Sequence, residues 1–215
     1  MKILLPPSEG KTQPQNSSSS LNLASLLFPE LTAQRQLVLE ALAGVSATPD
    51  ALARLKVGAS LADAVAANTE ILYAPVGPAH EIYTGVLFQG VNYKELTDTQ
   101  QQWADDNVLV SSAAFGLLRL GDHIPAYRLS MDVNLGEFKE TKIGGLATYW
   151  RNQLTPLFAA YAADEVVLDC RSTSYLKSMT PNPELTARVD VYNEVNGQLK
   201  KISHHAKHYR SSKIP

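Results

Sequence analysis

The sequence predicts a mixed-sheet α/β domain, and three observations point to it. Apolar runs suited to buried strands stand at residues 3–5, 108–110 and 166–168. Apolar residues recur at helical spacing from Leu31 to Ala43 and again through 144–162. Strand and helix signals then alternate irregularly, with no βαβ rhythm and no internal repeat, so a Rossmann order is not expected.

Taken in order, residues 2–5 read as a buried strand and 13–20 as a polar loop. The helix from Leu31 stops before Gly44, a residue suited to ending it. Thr48, followed by Pro49 and Asp50, starts a second helix, and Ser60 a third around 61–67. Ile71 to Ala74 reads as a strand, and "PVGPAHEIYTG" (75–85) is punctuated like a loop. Thr97 caps a helix that runs through Trp103, and Val108 to Ser112 is a strand. A further strand is expected over 126–131. "GGLATYWRNQLTPLFAAYA" gives a long amphipathic helix despite Pro156, leading into the strand "EVVLD" at 165–169. "RVDVYNEV-NG-QLKKIS" alternates apolar and polar residues on both sides of Asn196-Gly197, which predicts a hairpin. "HHAKHYRSSK" then suits a short basic helix.

The 215 residues suit one large domain spanning 1–215, with a basic C-terminal segment at 199–215. Apolar residues at 45% and charged ones at 19% describe an ordinary globular chain, and a net charge of −2 gives no global pull toward nucleic acid. Affinity for DNA therefore has to come from a local patch. Cys170 is alone, so an intrachain disulfide is excluded and a reducing, cytoplasmic compartment is expected. No stretch approaches the roughly 18 apolar residues of a membrane span, and the apolar N-terminal run is too short for a signal peptide.

"PPSEGKT" (6–12) raises the question of a phosphate-binding P-loop, and spacing answers it. A Walker loop needs a glycine five residues before Gly10, where Leu5 stands. Pro6 and Pro7 also remove two backbone donors. What remains is a cluster of Ser8, Glu9, Lys11 and Thr12 at the end of the first strand, a common place for a site.

Charge gathers at the other end. After Glu194 no acidic residue follows, while Lys200, Lys201, Lys207, Arg210 and Lys213 do. Such a segment can neutralise phosphates, and it can equally be a solvated end. His204 and His208 stand four apart, yet no carboxylate follows and cations surround them, so no bound metal and no cofactor is expected. Arg119 and Arg128 can clamp an anion with their planar forks, or pair with Asp122 and Asp132. Asp169 and Arg171 can be a plain ion pair. No G-x-S-x-G or H-E-x-x-H motif is present.

"PPSEGKT", "YTG" (83–85), "VSSAAFGLLRLGDHIPAYRLSM" (110–131), "YWR", "LDCRSTSYLKSM" and "KKISHHAKHYR" occur in this order across the chain. Together they make it resemble the YaaA family of bacterial peroxide-stress proteins. The resemblance implies a mixed α/β fold peculiar to that family, with a positively charged cleft and a helix-hairpin-helix-like element. It further implies DNA binding and a role in limiting damage from free intracellular iron. By position it carries over Ser8, Lys11 and Thr12; Tyr83, Thr84 and Gly85; Ser112, Gly116 and Arg119; Tyr127 and Arg128; and Lys207 and Arg210. "LDCRSTSY" and "AKHYRSS" depart from the family pattern.

Two functions of different class stay open. One is a DNA-binding stress protein in which Lys11, Arg119, Arg128 and the tail cations hold phosphates and Tyr83 or Tyr127 stacks on a base. The other is an enzyme on a nucleotide or nucleobase-like molecule, with Lys11 desolvated, Arg128 anchoring an anion and Ser8 or Tyr83 relaying a proton.

Overall fold

The computed structural model describes residues 1–14, 19–190, 192–195 and 198–201. At its centre is a five-stranded sheet ordered β4–β3–β1–β8–β9, formed by β1 (Lys2–Leu5), β3 (Val108–Ser112), β4 (Gly116–Arg119), β8 (Val167–Asp169) and β9 (Thr186–Arg188). Small ribbons pair β2 (Gly77–Pro78) with β5 (His123–Ile124), β6 (Glu137–Phe138) with β7 (Thr141–Lys142), and β10 (Tyr192–Val195) with β11 (Gln198–Lys201). The long helices are α1 (Thr32–Ser46), α6 (Asp98–Asn107) and α7 (Leu146–Tyr161). Between them lie the short α2 (Ala51–Arg54), α3 (Ala62–Ala67), α4 (Ala79–Ile82) and α5 (Val86–Val91), and α8 (Thr173–Leu176) follows β8.

β1 sits in the middle with parallel neighbours on both sides: Ile3 is in register with Val108 of β3 and with Leu168 of β8. β4 returns antiparallel from β3, and β9 continues the parallel pairing beyond β8. Strands covered on both faces need continuous apolar runs. Ile3, Leu4 and Leu5 are accordingly buried, as is all of β3. The chain passes from β1 to β3 on one side of it and later to β8 on the other, and in open α/β sheets such a change in strand order is where a site forms outside the carboxyl ends of the strands.

Helix α7 buries Leu146, Trp150, Leu154 and Phe158, one residue per turn. Trp150 also donates its indole N–H to the Ala113 carbonyl at 2.8 Å. Gly116, at φ +81°, admits that ring, since a Cβ there would lie 2.9 Å from it. Helix α6 starts with the full capping box of Thr97 and Gln100.

Several elements differ from the sequence expectation: helix α1 runs through Gly44 to Ser46, and 75–85, expected as a loop, carries β2 and α4. Residues 71–74 form turns after a 3₁₀ segment at Asn68–Glu70, and no strand runs there. Residues 126–130 belong to no strand and a turn begins at 131; Asn68 bonds the Arg128 backbone instead, accepting from its N–H at 2.9 Å and donating to its carbonyl at 3.0 Å. "GLLR" forms strand β4, entered from a turn at 113–115. The hairpin over β10 and β11 is present, while Asn196, Gly197 and the basic segment from Ile202 onward lie outside the described residues.

One residue of α1 defies its sequence pattern. Arg35 is fully buried and donates to the carbonyls of Phe115, Phe28, Leu23, Leu117 and Leu27. Burial pulls its pKa down to about 10 against the attraction of Asp122. Asp122 is buried too and accepts from the N–H groups of Leu27 and Arg119. The pair pins the 23–28 segment onto the sheet.

Candidate functional site at the carboxyl ends of the parallel strands

The chain leaves β1 through Pro6 and Pro7, whose rigidity carries it straight off the sheet end. Residues 10–12 then lie alongside 82–84: Thr84 N–H donates to the Gly10 carbonyl at 3.1 Å, and Thr12 N–H to that of Ile82 at 3.0 Å. Lys11 and Tyr83 form an isolated antiparallel bridge between them. Ser8 is pressed so closely against Gly85 that a Cβ at position 85 would lie 2.1 Å from its Oγ. A side chain at 85 would therefore evict the serine hydroxyl, which accounts for the glycine in "YTG".

Lys11 is half-buried. Its ammonium donates to the Ser8 carbonyl at 2.8 Å and lies 4.5 Å from the ring centroid of Tyr127 and 5.5 Å from that of Tyr83. Aromatic faces attract a cation electrostatically, so the two rings seat the ammonium beside the sheet end. Behind them the hydroxyls form a chain. Tyr83 and Tyr127 share a hydrogen bond of 3.0 Å, Tyr127 and Ser112 one of 2.8 Å, and Ser112 Oγ accepts from Phe115 N–H at 3.1 Å. Arg128 joins from the third segment, donating to the Glu9 carbonyl at 3.1 Å. "SEGKT", "YTG" and "AYR", far apart in sequence, thus meet at one place.

Burial raises the pKa of Tyr83 and of Tyr127 well above the ordinary tyrosine value. Both therefore stay neutral at physiological pH. Because their folded values lie above the unfolded one near 10, the stability they supply is complete below pH 10 and falls as pH rises beyond it. Each such proton contributes a slope of about 1.4 kcal/mol per pH unit. Tyr127→Phe is expected to flatten the alkaline fall by about that amount, read from denaturant midpoints between pH 9 and pH 11. An unchanged slope would mean that Tyr127 ionises freely in the native state.

Two cavities open on either side of the Lys11–Arg128 wall. One, about 390 Å³, is bordered by Leu61, Ala64, Ala67 and Ala126 beside Tyr127. The other, about 270 Å³, is bordered by Ser8, Ser130, Ser172, Ser174 and Tyr175. The segment carrying the last three is fixed by Arg171, which is 1% exposed. Its guanidinium grips Asp169 with bonds of 2.9 and 2.7 Å and donates to the carbonyls of Tyr175 and Met179. Asp169 and Arg171 are thus a buried ion pair that positions the wall of the site.

The remaining sequence candidates lie elsewhere. Thr12 and Thr84 contact each other at 3.3 Å and border a separate cavity of about 510 Å³ with His80 and Tyr93. His80, expected in a loop, belongs to α4 and stacks on Tyr93 with centroids 3.8 Å apart. Ser112 is buried behind Tyr127, and Gly116 packs on Trp150. Arg119 pairs with Asp122 at 2.9 Å and donates to the Ser25 carbonyl, in a different cavity from Lys11. Lys200 and Lys201 lie on the β11 backbone, and Lys207 and Arg210 lie outside the described residues. Among the described residues, no three His, Cys, Asp or Glu side chains gather as a metal site would require, and no helix is long and apolar enough to cross a membrane.

Sequence reasoning missed Asn68 and Arg35. An asparagine inside a helical stretch carries no signal of the backbone it will hold 60 positions away. An arginine on an amphipathic helix reads as solvent-facing.

Comparison with known proteins adds an independent line. The model of the family described as peroxide stress protein YaaA matches residues 1–212. A UPF0246 protein of Streptomyces coelicolor is 37% identical over 207 residues, covering 95% of this chain and 77% of the relative. One of Corynebacterium efficiens is 37% identical over 210 residues, covering 98% and 82%. One of Corynebacterium glutamicum is 32% identical over 213 residues, with the same two coverages.

Proposed function

The chain belongs to the peroxide stress protein YaaA family, and from that premise we propose that it serves the peroxide-stress response by binding DNA and holding one exposed nucleotide in the Lys11–Arg128 cleft. The observation that carries this reading is the seat of Lys11 between Tyr83 and Tyr127, with a cavity on each side. A cation and an arginine fork at the end of a sheet suit a phosphate, and the neighbouring apolar cavity suits a base taken out of its stack. The tail cations Lys200, Lys201, Lys207 and Arg210 supply duplex affinity, because phosphate contacts position without reading sequence. Occupying DNA in this way is how the protein would limit iron-driven damage to it.

A second reading, an enzyme on a free nucleotide or nucleobase-like molecule, is favoured by the walls around Lys11. The cleft there is two small chambers rather than an open groove.

Salt dependence tests the DNA reading. The logarithm of affinity should fall with log salt at about −0.9 per phosphate neutralised. Replacing Lys207 and Arg210 together should reduce the steepness by about two units and weaken all sequences alike. An unchanged slope would make the tail a solvated end and leave the free-nucleotide enzyme as the better account.

A further inference from the structure

The two chambers share Glu9, Lys11 and Arg128 as a common wall, yet their chemistry differs. One offers the aliphatic surface of Leu61, Ala64, Ala67 and Ala126 beside an aromatic ring. The other is lined with hydroxyls, from Ser8, Ser130, Ser172 and Ser174. Ser8 is 4% exposed and borders the chamber, but its Oγ is packed against Gly85. The half-buried hydroxyls of Ser130, Ser172 and Ser174 are the ones a ligand oxygen in the chamber would meet.

Charge narrows the choice of ligand. The ionisable side chains bordering the hydroxyl chamber include Lys11 and Arg128 on one side and Glu9 and Asp132 on the other. Arg171 adds no cation, being committed to Asp169. A balanced lining with many hydroxyls suits an oxyanion of one charge. The second charge of a phosphate monoester would meet two carboxylates without further compensation.

We infer that the cleft takes its nucleotide as an internal unit of a strand. The base occupies the Leu61–Ala126 chamber, a phosphodiester monoanion lies against Ser130, Ser172 and Ser174, and a terminal phosphate monoester is disfavoured. This rests on the single-nucleotide reading above and specifies which chemical form of nucleotide is held.

Calorimetric titration of the full chain with three probes tests it: deoxyadenosine, its 5′-monophosphate, and the 5′-monophosphate methyl ester. At pH 8 the methyl ester should bind roughly tenfold tighter than the monophosphate, a difference of about 1.4 kcal/mol. At pH 5.5 the gap should close, because the monoester then carries a single charge, its second pKa being about 6. Ser174→Lys should remove the preference for the ester, because an added cation favours the dianion more than the monoanion, while leaving deoxyadenosine binding within about twofold, and Ala126→Leu should weaken all three probes alike. Equal affinity for ester and monoester at pH 8, or a tighter monoester, overturns this inference and leaves the nucleotide pocket standing. Failure of all three probes to bind, while an oligonucleotide still does, overturns the pocket itself.

Discussion

Arg171→Ala is expected to destabilise the fold by about 3–5 kcal/mol, the range for removing one partner of a buried ion pair. Arg171 and Asp169 are both buried, and the arginine holds the aspartate with two side-chain bonds. Truncation strands the carboxylate at the end of β8 and releases the Tyr175 and Met179 carbonyls. The segment that carries Ser172, Ser174 and Tyr175 to the cleft then loses its anchor, so pocket affinity should fall along with stability. Replacing both partners by apolar residues should restore much of the stability without restoring pocket binding, because no group then grips the two carbonyls. Urea denaturation at neutral pH gives the stability arm. A loss below about 1 kcal/mol would mean that the pair is solvated in the folded protein.

Lys11→Ala should separate chemistry from attachment. Its ammonium makes one bond to the Ser8 carbonyl and rests over two rings, contacts that together contribute only about 1–2 kcal/mol to folding. The same ammonium lies over the rings of Tyr83 and Tyr127, beside the hydroxyl chain that ends at Ser112. A charge-assisted bond to a phosphate oxygen is worth about 1.5–3 kcal/mol, so nucleotide affinity should fall about 10- to 100-fold. Protection against peroxide should be lost with it. Duplex affinity, supplied by the tail, should change by less than about threefold. If duplex binding and nucleotide binding fall together, Lys11 belongs to the DNA-attachment surface and the proposed division of labour is wrong.

Several elements are legible in the sequence because local rules decide them. Ile3-Leu4-Leu5 and Val108–Ser112 announce doubly covered strands; Thr97 and Gln100 announce a helix start; and the spacing of Leu146, Trp150, Leu154 and Phe158 announces a helix face. Where tertiary partners decide, local reading fails. Residues 126–131 read as a strand in sequence, but the Arg128 backbone takes the Asn68 side chain as its partner, which no strand pattern can reveal. For Arg119 the sequence leaves anion clamp and Asp122 partner equally open, and only the folded geometry selects the pairing. Within the site, the polar residues of "SEGKT", "YTG" and "AYR" stand out by type. Their meeting point depends on which strands flank β1, a non-local fact. Arg171 reads as an ion-pair partner, but its grip on the Tyr175 and Met179 carbonyls depends on how the chain after β8 folds back.

The most direct test of the nucleotide cleft is a crystal structure of the full chain with a short single-stranded oligonucleotide. One nucleotide should be turned into the cleft, its phosphodiester within hydrogen-bond distance of Lys11 or Arg128 and its base against Leu61, Ala64, Ala67 and Ala126. An oligonucleotide that lies wholly outside the cleft, with no nucleotide beside Lys11, would contradict that reading.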